Sequence, residues 1–135
     1  GGLGVLGQVL VWRHKFDEAE DLLNQSIRLS PRDAFACIHI CHLGFSALFR
    51  SDPANALLYA ERAYGDYPNN PVPLRLMAGS LGLLGRLDEA RKVLNKLTLL
   101  APGMTISLTS DAVFSGLQED IELYSEGLRR AEMPE

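Results

Sequence analysis

The chain has 135 residues, enough for one compact domain or one short repeat array. Its 47% hydrophobic and 22% charged content is that of a folded protein, and a net charge of −4 excludes nucleic acid as a main partner, because phosphate binding needs a basic surface. No apolar run reaches the roughly 18 residues of a membrane span, so no membrane partner is expected.

The chain opens on Gly2-Leu-Gly4-Val-Leu-Gly7, which spells G-x-G-x-x-G. A dinucleotide-binding turn needs a strand before it and a parallel sheet around it. Neither pattern is present, and the glycines fall inside a helical stretch, so no cofactor is expected. Lacking Met and a basic region ahead of an apolar one, the start reads as that of a fragment of a cytoplasmic protein, with Gly1 and Gly2 as a remnant of cloning.

Apolar periodicity and stop signals predict helices near 2–14, 17–29, 34–49, 53–66, 71–84 and 87–100. Asp52-Pro53 and Asn70-Pro71 each put a capping side chain before a proline at the first helical position. Asp17-Glu18 and Asp88-Glu89 fall in first turns, where the helix dipole favours acids. Beyond Pro102 a short helix and a loop are expected. Ser115 and Gln118 then stand at capping-box spacing ahead of a last helix running to about Ala131. Leu117, Ile121, Tyr124 and Leu128 give that helix one apolar stripe.

A repeat runs through the first hundred residues. "FDEAEDLLNQSIRLSP" (16–31) and "LDEARKVLNKLTLLAP" (87–102) share their Asp-Glu-Ala triplet, a leucine and the closing proline. "PANALLYAERAYGDYP" (53–68) keeps the Ala and the Pro. Ala56 and Ala90 are 34 apart, as are Pro68 and Pro102; Ala19 to Ala56 and Pro31 to Pro68 are each 37. This spacing resembles the tetratricopeptide repeat, a helix-turn-helix unit of about 34 residues. The resemblance implies an all-α, right-handed superhelix of three helix pairs plus a C-terminal capping helix, in one domain over 1–135. The repeats would cover about 1–33, 34–70 and 71–104, with the cap over 105–135. Gly7, Gly44 and Ala78, with Ala19, Ala56 and Ala90, supply the small residues where paired helices cross. Pro31, Pro68 and Pro102 end each second helix.

The later part of the chain, with Pro102-Gly103-Met104-Thr105 and the closing Gly127-Leu128-Arg129-Arg130-Ala131-Glu132-Met133-Pro134-Glu135, resembles the C-terminal repeat region of bacterial class III adenylate/guanylate cyclase-like proteins. That resemblance implies a non-catalytic, protein-binding regulatory module of a signalling protein whose catalytic domain lies elsewhere. The alternatives are a generic repeat scaffold or homo-oligomerisation domain, or the repeat region of a winged-helix transcriptional regulator. The partner would be a protein or peptide, including a second copy of the chain or an upstream domain of it.

Catalytic and metal-binding constellations are not expected. "CIHICH" (37–42) places Cys37 and Cys41 on a helical face that His39 does not share, and one helix rarely gives more than two ligands to a tetrahedral site. No nucleophile elbow occurs. In tetratricopeptide arrays the first helix of each pair lines a concave groove, and carrying those positions over gives Gln8, Trp12, Ile38, Cys41, Phe45, Phe49 and Arg75. This set is mostly apolar, with Arg75 as its one cation. It lacks the Lys and Asn residues that grip acidic peptide tails, and it favours an apolar helix or peptide, unless the last helix or a second copy fills it.

Overall fold

The computed structural model describes the backbone of residues 2–33, 35–113 and 117–135, and the side chains of 4–33, 35–109 and 117–135. Among the described residues the fold is all-helical, with no strand. Six helices form three antiparallel pairs: α1 (Gly2–Trp12) with α2 (Phe16–Leu29), α3 (Ala36–Phe49) with α4 (Pro53–Asp66), and α5 (Pro71–Leu83) with α6 (Leu87–Leu100). The pairs stack through α2 on α3 and α4 on α5, while α1, α3 and α5 also touch in sequence along one side.

Local chemistry accounts for the boundaries. Asp52 accepts a hydrogen bond from the Asn55 N–H at 3.2 Å and Asn70 one from the Val72 N–H at 3.0 Å, capping α4 and α5. The turn inside each pair repeats in detail. His14, Ser51 and Gly85 hold φ of 60°, 63° and 76°. The next amide in each case, of Lys15, Asp52 and Arg86, bonds the carbonyl of Leu10, Ala47 and Leu81 at 2.9–3.0 Å. This is the six-to-one closure that ends a helix on a left-handed residue. Only the third copy uses glycine there, so His14 and Ser51 hold a conformation that glycine would adopt at lower cost. Each second helix stops at the residue before proline: Ser30, Tyr67 and Ala101 take φ of −141°, −136° and −135°, outside the helical region that a following proline disfavours.

The pairs close on small residues. Ala19, Ala56 and Ala90 are fully buried. A Cβ on Gly7 would lie 2.8 Å from Leu23 Cγ, and one on Gly44 would lie 3.3 Å from the Ala56 carbonyl oxygen. Gly65, by contrast, faces open space near the end of α4. Gly65→Ala is therefore expected to stabilise the fold by about 0.5 kcal/mol, by restricting the unfolded chain without a clash. An unchanged or lower midpoint in urea unfolding would contradict this.

Beyond the pairs, α7 (Ile106–Val113) and α8 (Gln118–Arg130) close the C-terminal end. The final residues return to α7, where the amides of Ile106 and Ser107 donate to the carbonyls of Pro134 and Glu135 at 2.8 and 3.1 Å. α8 lies against α5 and reaches α3, so it covers the array from the side formed by the first helices. Ser115, expected to cap this helix, lies outside the described residues; the helix begins at Gln118 behind Leu117, with no side-chain cap. The apolar stripe is also altered. Leu117 is exposed, while Asp120 joins Tyr124, Gly127 and Leu128 on the buried face.

Candidate functional site: the concave face

α8 is seated by glycine. Gly79 and Gly82 of α5 face α8, where Gly127 meets them backbone to backbone, and Tyr124 lies over Gly79. Tyr124 also presents its ring edge to Phe45 of α3 at 5.2 Å between centroids. At its start, α8 is tied to the opposite end of the array: His14 Nε2 and Asp120 Oδ2 are 2.7 Å apart, across 106 residues of sequence.

This arrangement redistributes the seven expected groove residues. Cys41, Phe45 and Phe49 are buried. Phe45 and Phe49 pack on Trp12 at 5.8 and 5.2 Å, forming one aromatic cluster between α1 and α3. The Cys41 thiol is hydrogen-bonded to Cys37 and desolvated, and both effects push its pKa well up, leaving it unreactive at neutral pH. Gln8, Trp12 and Ile38 remain half-exposed. With His42, Phe45, Val72 and Arg75 they wall a cavity of about 300 Å³ on the concave face.

Arg75 is the unusual member of this wall. It is only 9% exposed, and its Nε is buried without a hydrogen-bond partner. No described residue forms an ion pair with it. Nearby, burial lowers the pKa of His42 to about 4, and its Nδ1 bonds the Ile38 carbonyl at 2.9 Å. That ring is therefore neutral at physiological pH, with the proton on Nδ1. His39, whose pKa is also lowered by burial, bonds the Gln8 amide at 3.3 Å. The "CIHICH" side chains are thus committed to packing and local hydrogen bonds.

Two features were hidden from sequence reasoning. His14, Glu119 and Asp120 bring ligand atoms within 4.8 Å of one another, the single such His/Cys/Asp/Glu group among the described residues. Burial raises the Asp120 pKa, and the His14 bond opposes that rise. No local signal marks this pairing, because His14 sits in a turn and the acids on a distant helix. The glycine set Gly79, Gly82 and Gly127 was visible as composition, but its meaning depends on the crossing. Gly4 faces His39 and Ser26. A larger depression of about 1110 Å³ beside α8 has Arg129 as the one cation in its lining, paired with Glu126 at 3.1 Å and with Glu135 at 2.7 Å.

A tetratricopeptide repeat family model matches residues 48–104, from the end of α3 through α6, which is less than half of the chain. No curated protein matches it. No helix among the described residues is long and apolar enough to cross a membrane.

Proposed function

We propose that the chain is a non-catalytic protein-interaction and regulatory module whose first helix docks against a further helical layer, supplied by the upstream part of the same polypeptide. The observation that carries this reading is a repeat position. Leu6 stands where Leu43 stands in the second pair, 37 residues on. Leu43 is 1% exposed between pairs, whereas Leu6 is 48% exposed, beside Val5 and Val9. The outer edge of α1 is built like an internal layer, and an internal layer stacks on both sides. The family match over residues 48–104 supports a protein partner, since such repeats bind proteins and peptides.

Placement in a bacterial cyclase-like signalling protein rests on the sequence resemblance at 102–105 and 127–135. Hydrogen exchange tests the docking. Amides of residues 4–10 are expected to gain protection when the preceding sequence is joined to the chain, and Leu6→Asp with Val9→Asp should abolish the gain. Unchanged exchange in the longer polypeptide would overturn the docking. A preceding sequence that yields no cyclic nucleotide would remove only the cyclase assignment. Self-association is the competing reading of the same edge, and would show as a concentration-dependent mass in light scattering with residues 4–10 protected.

A further inference from the structure

The cavity on the concave face holds a charge that no described residue answers. Arg75 is nine-tenths buried, its Nε is desolvated and unpartnered, and no described carboxylate reaches it. An arginine keeps its charge even when buried. Leaving a buried cation unpaired costs several kcal/mol, so such groups are found with counter-ions. Around Arg75 the walls are mostly apolar or aromatic, from Trp12, Phe45, Ile38 and Val72, with the Gln8 amide as a neutral polar group. His42 adds a neutral ring held by Ile38. No second cation lines the space, and the adjacent start of α5 offers no spare donors. Pro71 and Pro73 have no N–H, and the Val72 N–H is taken by Asn70.

We propose that this cavity binds a small aromatic monocarboxylate, its carboxylate on the Arg75 guanidinium and its ring among Trp12, His42 and Phe45. Arg75 is the one cation in the lining, with the Gln8 amide and the Trp12 indole as neutral donors. This set matches a single negative charge and falls short of a phosphate, which takes several cations or converging backbone donors. A volume of about 300 Å³ lies at the small end of ligand pockets and suits one ring with a short acidic arm. The lining comes from α1, α3 and α5, and a space of about 300 Å³ holds one small acid more readily than a peptide lying along the array. The inference stands apart from the docking of α1, since it involves the concave face and not the outer edge.

Trp12 is the chain's single tryptophan and lies in the cavity wall, so its fluorescence reports occupancy directly. Titration with phenylacetate is expected to change that emission saturably. Phenylacetamide, of the same shape without the charge, should bind about tenfold to a hundredfold more weakly, the value of a charge-assisted hydrogen bond. Arg75→Met should abolish the response while leaving the protein folded with an equal or higher melting temperature, because it removes an unpaired buried charge. Absence of saturation at millimolar phenylacetate, or equal binding of acid and amide, would overturn the proposal; this comparison needs no variant. Undiminished binding by folded Arg75→Met would overturn it too. Saturable binding only by a peptide ending in phenylalanine, with none by the free acid, would also count against it.

Discussion

Gly127→Val is expected to lift α8 off α5 and to lower stability by about 3 kcal/mol, the upper part of the overpacking range. A Cβ at Gly127 would meet the Gly79 carbonyl group, with its carbon 2.9 Å away, and Leu83 Cγ at 2.9 Å. The facing position is equally tight, since a Cβ at Gly82 would lie 2.8 Å from the Gly127 carbonyl carbon. Backbone cannot rotate aside as a side chain can, so the helices must separate. Separation would uncover Tyr124 and Leu128, which are 3% and 0% exposed, and would stretch the bond between His14 and Asp120. Hydrogen exchange over residues 118–130 should accelerate more than exchange in α4, and the urea midpoint should fall. Wild-type exchange in α8 and an unchanged midpoint would show that the helix does not rest on this glycine crossing.

Acid should weaken the fold through His42. Its pKa is about 4 when folded, against an ordinary value of 6.5, because burial disfavours the charged ring. The unfolded chain takes up the proton first, so stability is full above pH 6.5 and is lost as pH falls from there toward 4. The difference corresponds to about 3 kcal/mol once pH reaches the folded value. His39 shifts in the same direction for the same first cause and adds to the loss. Asp120 acts oppositely: its pKa is raised, so the folded state holds its proton more tightly, an effect confined to pH near and above the ordinary 3.8. Urea unfolding at about pH 4.5 should therefore give about 2–3 kcal/mol less stability than at about pH 7. His42→Phe, which keeps an aromatic ring between Trp12 and Phe45, should flatten most of that slope. A slope unchanged in this variant would place the acid sensitivity elsewhere.

Sequence alone determined the six paired helices and their limits. The signals are local: caps at Asp52 and Asn70, prolines at 31, 68 and 102, and small residues at fixed offsets act within a few residues of where they stand. α1 to α6 follow the expected spans to within two residues or so at each end. The repeat also carried the pairing, because equal spacing puts equivalent side chains in equivalent environments. What sequence could not decide was the position of α8. An amphipathic helix states that it has a face to bury and not which surface it will bury that face on. Its seat depends on three glycines from two helices meeting at one crossing, and on a histidine and an aspartate 106 residues apart. Only the tertiary structure decided that Phe45 and Phe49 are buried in an aromatic cluster with Trp12. It also decided that Arg75 ends beside a small cavity, with no counter-ion among the described residues. Contacts between distant elements depend on the packing of every layer between them, and no residue pattern within one helix encodes that sum.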